Sequence, residues 1–196
     1  MRLMLVGSMV SACVGMASAA FAGLSATATT SLDSITGPAG SPTYHYTVTM
    51  TNTGTTPIGT FWYGWIPQPN EDYLSSAPTV VSSPSNWFSP VDNLGAGDGY
   101  SIEWYNYPGF GSPIAPNASF AFKFTSTEGP DMIAANSPFY PNKATQTSFI
   151  YQGLPEGDPG FQLVASNPVT SVPEAASLGV MGIGALGLLR RSKRRH

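Results

Sequence analysis

Tyr44-His45-Tyr46-Thr47-Val48-Thr49-Met50-Thr51-Asn52 is the most regular stretch of this 196-residue chain. Tyr44, Tyr46, Val48 and Met50 fall on one side of an extended backbone and His45, Thr47, Thr49 and Thr51 on the other, which is the period-two pattern of a half-buried β-strand. Asn52-Thr53-Gly54 ends it in a tight turn. Ser119 to Thr125 repeats the pattern, with Phe120, Phe122 and Phe124 directed inward and Ala121 and Lys123 outward.

Working outward, further strands are predicted over Leu24 to Leu32, Ile58 to Ile66, Thr79 to Val81, Tyr100 to Tyr105, Gln146 to Tyr151 and Phe161 to Ala165. Clusters of Gly, Pro, Asn and Asp separate them, and no helical apolar period is sustained. The expected fold is all-β: a single antiparallel β-sandwich, immunoglobulin-like or jelly-roll-like, over residues 23–171. An amino-terminal signal helix and a carboxy-terminal transmembrane helix are expected to flank it. Pro67 to Pro90 reads as a long loop over one end of the sandwich, and Ser166 to Ser171 as a short polar stalk.

Charged residues make up only 10% of the chain, while 21 Gly and 18 Pro suit short strands and many turns. The formal charge of -3 conceals an asymmetry, because six of the eight basic residues sit at the two ends. Between Gly23 and Ser171 there are two lysines, Lys123 and Lys143, and ten acids, so that segment carries 2 − 10 = -8. Such a surface repels phosphate backbones, and no nucleic-acid partner is expected. The single cysteine, Cys13, precedes the sandwich, whose stability must therefore come from core burial.

The first 22 residues read as a signal peptide: Arg2, an apolar run from Leu3 to Val14, and Ala17-Ser18-Ala19 or Ala20-Phe21-Ala22 as a small-residue cleavage site. Cleavage by signal peptidase is expected after Ala22. Val10-Ser11-Ala12-Cys13 looks like a lipidation site, but the chain stays apolar and small beyond Cys13, up to better cleavage sites.

Residues 172–196 carry the strongest signal. Val172-Pro173-Glu174 precedes an apolar run from Ala175 to Leu189, in which Leu178, Val180, Ile183, Leu186, Leu188 and Leu189 supply the membrane-seeking surface. As a helix it would be about 22 Å long, so spanning a ~30 Å hydrocarbon core requires thinning or snorkelling. The basic cluster Arg190, Arg191, Lys193, Arg194 and Arg195 is expected to stay cytoplasmic, leaving the sandwich outside.

In that order and spacing, the Pro-Glu pair, the Gly/Leu-rich run and the terminal arginines resemble the PEP-CTERM sorting signal. The resemblance implies recognition by an exosortase, an intramembrane cysteine transpeptidase-like enzyme, with a transient inner-membrane anchor and then release or attachment at the cell surface or extracellular matrix. It also implies association with exopolysaccharide and biofilm. Ala175 stands where the family has a second proline. The strand ending Val48 to Gly54, with Leu94-Gly95-Ala96-Gly97 and Ala115 to Ser119 before later strands, is similar to bacterial immunoglobulin-like adhesion modules.

Catalytic chemistry finds little support in the residues. His45 is the only histidine before the last position and falls on the wet side of its strand, with no nucleophile elbow nearby. The mature chain lacks the His/Cys clusters of zinc sites. Asp92-Asn93 with Asp98, Glu128 with Asp131, and Glu156 with Asp158 read as turn residues rather than calcium ligands, since none has EF-hand spacing. Glu71 with Glu103 is one candidate glycosidase pair, which spacing in sequence does not test. No enzyme activity, cofactor or metal is expected. The aromatic residues are more suggestive, because exposed rings stack on the apolar faces of sugars. The first reading is a non-catalytic surface or matrix protein. The alternative is a carbohydrate-binding module with Trp62, Trp87 and Trp104 as candidate platform rings, Phe61, Tyr63 and Trp65 lying on the opposite side of their strand from Trp62, and a secreted hydrolase ranks third.

Overall fold

The computed structural model describes residues 23–93, 99–154 and 157–170, with the backbone alone described over 167–170. The expected signal peptide, the sorting signal, Gly95 to Gly97, Asp98 and Glu156 lie outside the described residues. In chain order the elements are β1 (Ala26–Thr36), β2 (Thr43–Asn52), β3 (Thr60–Tyr63), β4 (Trp65–Ile66), β5 (Glu71–Asp72), β6 (Thr79–Ser82), β7 (Trp87–Phe88), β8 (Val91–Asp92), β9 (Ser101–Asn106), β10 (Ser119–Ser126), a one-turn helix α1 (Pro130–Ala134), β11 (Thr147–Tyr151), β12 (Gly160–Val164) and β13 (Ser166–Thr170). Among the described residues no helix is long and apolar enough to cross a membrane.

Two sheets face each other. The first has the order β13-β1-β2-β10-β6 and the second β12-β11-β3-β9-β7, with β8 also on β9; β4 and β5 form a separate hairpin. The pairing is antiparallel except between β1 and β13, which run parallel. Ser166 to Thr170 is thus an edge strand and not the stalk expected from its polarity. Pro168 has no backbone N–H to donate, and an edge is where a strand tolerates that.

The alternation in β2 and β10 translates directly into layers. Tyr46, Val48, Met50, Phe122 and Phe124 are fully buried, and they meet Phe61, Tyr63, Ile102, Trp104 and Ile150 from the second sheet. Phe61 stacks on its neighbour Trp104, with ring centroids 5.5 Å apart and planes at 19°. Phe122 closes on that pair from the other sheet, 4.9 Å from Trp104 and 5.5 Å from Phe61. The buried phenols find partners: Tyr46 donates to the Glu128 carbonyl at 2.8 Å, and the Tyr63 hydroxyl lies 3.4 Å from Thr30 Oγ1. Burial raises both well above the ordinary phenol value.

Turn chemistry fixes the ends of β2. Asn52 is buried and its amide donates to the carbonyls of Thr56 and Ile114, each at 2.8 Å, while its Oδ1 accepts the Gly54 N–H at 2.9 Å. The segment from Pro67 to Pro90 departs from the expected loop. It contains β5, β6 and β7 and buries Asp72, Tyr73, Leu74 and Trp87. Its Pro and Ser content reflects short edge elements rather than an open excursion.

Removing the central ring should be costly. Trp104→Ala is expected to lower unfolding free energy by about 3–5 kcal/mol in urea titration, whereas Phe110→Ala, at a side chain 69% exposed, should change it by no more than about 0.5 kcal/mol.

Candidate functional site

The inward set of the second sheet dictates what its other face displays. With Phe61 and Tyr63 of β3, Ile102 and Trp104 of β9 and Ile150 of β11 in the core, the alternating positions Trp62, Glu103, Tyr105 and Phe149 point away from it. Register places them in two rows across the strands. One row runs Phe149, Trp62, Glu103 and the other Tyr151, Thr60, Tyr105, Phe88. Four strands at about 4.8 Å give the longer row a span of roughly 14 Å.

Gly64 breaks the alternation. Its φ of +74° lies in the left-handed region, where a side chain would be strained and a Cβ would also meet Leu74 Cγ at 3.2 Å. Beyond it Trp65 lands on the same side as Trp62, contrary to simple counting. The two indoles stack 4.2 Å apart at 27°, and Trp65 donates from Nε1 to Asn70 Oδ1 at 2.6 Å. Phe149 and Tyr151 complete this group, which covers itself: Trp62, Trp65 and Tyr151 are all buried.

The candidate platform of Trp62, Trp87 and Trp104 therefore does not form. Trp104 is 0% exposed in the inter-sheet core, and Trp87 packs edge-on against Phe120 and Phe122 at 5.9 and 5.4 Å. Trp62 faces outward but lies beneath Trp65. Indole area is too large to leave unburied when a core is available to take it.

The accessible rings are their neighbours. Phe88, Tyr107 and Phe110 are 49%, 48% and 69% exposed, and Tyr105 is half-buried between them. Phe88 and Tyr105 lie 5.3 Å apart with planes at 20°, Tyr107 stands 6.1 Å from Phe88 and 6.0 Å from Tyr105, and Phe110 follows 6.4 Å beyond Tyr107. The sequence signal was present in Ile102 to Tyr107, where burying Ile102 and Trp104 sends Tyr105 and Tyr107 outward. Choosing tryptophan by ring size hid it.

Glu103 is the charged group on this face. Loss of solvent, and secondarily the nearby Asp92 carboxylate, push its carboxyl up to about 7. Glu71 is not its partner; it accepts the Tyr73 hydroxyl at 2.6 Å. His45 lies on the first sheet, with Nε2 2.8 Å from Thr36 Oγ1. Asp92 takes the N–H of Asn93 at 2.7 Å, as a turn residue does. Glu128 is buried and its Oε1 accepts the Ser76 N–H at 3.0 Å and the Ser76 hydroxyl at 3.2 Å. Among the described residues no three His, Cys, Asp or Glu side chains gather as metal ligands would.

Comparison with known families decides the tail. The model described as the PEP-CTERM protein-sorting motif matches residues 171–195. The chain carries a PEP-CTERM sorting motif. Such a motif marks an exported protein that is held by a carboxy-terminal membrane anchor until an exosortase processes it. No curated protein matches this chain.

Among solved structures it is similar to a GH20 exo-β-N-acetylglucosaminidase from Vibrio harveyi, with 9% identity and a TM-score of 0.44 over 76% of this chain. The match spans 19% of the glycosidase. A carbohydrate-binding module of Ruminiclostridium thermocellum matches over 73% of this chain and 99% of its own, with 12% identity and a TM-score of 0.39. The chitin-binding domain of Chi18aC from Streptomyces coelicolor matches over 50% and 78%, with 26% identity and a TM-score of 0.29. The assignment as an all-β sandwich rests on the strand pairing itself.

Glu103 gives this face a pH signature. Its folded-state pKa is raised above the ordinary 4.5, so the folded state binds the proton more tightly. Stability is then greatest while Glu103 is protonated and falls as pH rises from about 4.5 through about 7. Urea midpoints measured from pH 5 to 8 should decline, and Glu103→Gln should flatten much of that slope; Glu128, also raised by burial, contributes a remainder of the same sign.

Proposed function

We propose that this protein is a non-catalytic cell-surface or matrix protein, sorted by an exosortase, whose sandwich binds extracellular polysaccharide through the outer aromatic face of its second sheet. The observation that carries the reading is the group formed by Phe88, Tyr105, Tyr107 and Phe110, four rings in successive contact on the exterior. Because these rings adjoin one another, Phe88, Tyr107 and Phe110, each about half or more exposed, form a contiguous apolar patch of the kind that marks an interaction site. Flat rings at a sheet surface present low-entropy contact area to the C–H faces of sugars, and their spacing suits an extended chain rather than a small enclosed substrate.

The sorting motif supports the same reading from the other end of the chain. Anchoring first by residues 175–189 and the cytoplasmic basic cluster 190–195, and then at the surface after processing, would keep the acidic sandwich on the outer side, where exopolysaccharide and biofilm matrix lie. Residues Val172, Pro173 and Glu174 are the proposed recognition element for the exosortase.

Two measurements test this. Calorimetric titration with soluble polysaccharides should give saturable heat, and Phe88→Ala or Tyr107→Ala should weaken binding at least about tenfold without lowering the urea midpoint appreciably. Intact mass from cells with and without an active exosortase should differ by the tail beyond the sorting motif; equal masses would mean a plain membrane anchor.

A further inference from the structure

The aromatic group ends at a cleft. One wall is the turn at 84–86, closed by the Trp87 N–H donating to the Pro84 carbonyl at 3.1 Å, with Asn86 held at φ +63°. The other is the turn at 109–112, where Phe110 N–H donates to the Tyr107 carbonyl at 3.0 Å. Phe120 of β10 forms the base, and Phe110, the last ring of the exposed series, stands at the lip. Trp87 ties the walls together by donating from Nε1 to the Ser112 carbonyl at 3.0 Å. The cleft measures about 640 Å³, within the ~300–1,000 Å³ typical of small-molecule sites.

Its shape depends on Gly111. A Cβ there would lie 2.2 Å from Asn106 Nδ2 and 3.0 Å from Asn86 Cβ, so a side chain would force the two walls apart. Asn106 is only 6% exposed and its Nδ2 has no hydrogen-bond partner. A buried amide donor without an acceptor is unfavourable by about 1–3 kcal/mol. It stands directly behind Gly111 of the cleft wall.

The lining is chemically distinctive in an acidic domain. Every residue around the cleft is uncharged, with hydroxyls of Ser85 and Ser112 and the amide of Asn86 set among Phe110 and Phe120. A polyanion would have to enter the field of a segment carrying -8 with no cation at the site to receive it. An ammonium group would find no carboxylate there. Apolar ring faces beside neutral donors and acceptors match an uncharged pyranose, which carries both kinds of surface.

We propose that the cleft between the 84–86 and 109–112 turns holds one neutral hexose or N-acetylhexosamine unit of the glycan lying along Phe88, Tyr105, Tyr107 and Phe110. This rests on the polysaccharide reading above and makes it more specific. Phe110 stacks on the sugar face, the Asn86 amide and the serine hydroxyls serve its hydroxyl groups, and acidic sugars are rejected.

The test uses calorimetry with two- and three-unit hexose and N-acetylhexosamine oligomers, uronic acid oligomers of equal length, and long neutral polymers. Short neutral oligomers should bind, and uronic acid oligomers at least tenfold more weakly. Ser85→Trp, which fills the cleft from an exposed position, and Phe110→Ala, which removes the stacking ring, should each weaken the short neutral oligomers at least tenfold. Phe88→Ala should weaken long polymers at least tenfold. Native-like binding of short oligomers by both Ser85→Trp and Phe110→Ala would overturn the cleft site, while loss of polymer binding in Phe88→Ala would still support the aromatic face. No binding of any glycan by the native protein would overturn both. Equal affinity for uronic acids would overturn the neutral selectivity, and concentration-dependent dimerisation abolished by Ser85→Trp would assign the cleft to a second copy instead.

Discussion

The contact of Phe122 with the stacked pair Phe61 and Trp104 is the interaction on which the rest of the molecule depends. It joins the two sheets at their centre and fixes the phase of β3 and β9 in the second one. Because side chains alternate along a strand, burying Phe61 and Trp104 leaves no choice about Trp62, Glu103 and Tyr105: they face outward. A slip of one residue would bury Glu103 and expose Trp104. The core thus selects the outer surface as firmly as it holds the sheets together, and does so without a disulfide, since Cys13 precedes the sandwich.

The outer face then divides into a closed half and an open half. Gly64 turns the chain so that Trp65 covers Trp62, with Phe149 and Tyr151 alongside, and that half is nearly dry. Thr60, small and bonded to the Gly153 carbonyl at 2.6 Å, separates it from the open half at Tyr105 and Phe88. Glu103 lies between the two with Asp92 as its charged neighbour.

Much of the scaffold was legible in the sequence. β2 coincides with the segment read from alternation, and the Phe120, Phe122, Phe124 series of β10 points where its spacing predicted. Elements too short to show a period escaped: β5, β7 and β8 have two residues each, and their setting between prolines reads as loop. β13 was missed because its pairing with β1 joins segments far apart in the chain, and Pro168 argues against a strand anywhere but an edge. The exposed rings of the outer face escape a reading of the sequence for a physical reason. Ring size alone favours tryptophan, but the largest apolar surface is the first to be buried, and a single left-handed glycine changed the side on which Trp65 emerges.

Which aromatic rings lie inside decides what the outer face displays, and the native protein's four tryptophans report on it together, since Trp62, Trp65, Trp87 and Trp104 are each no more than 9% exposed. Tryptophan emission with acrylamide quenching is the most direct measurement. Blue-shifted emission that resists the quencher until the protein is unfolded is the predicted result. A red-shifted component quenched as readily in the folded protein as in urea would place an indole on the surface and contradict the account.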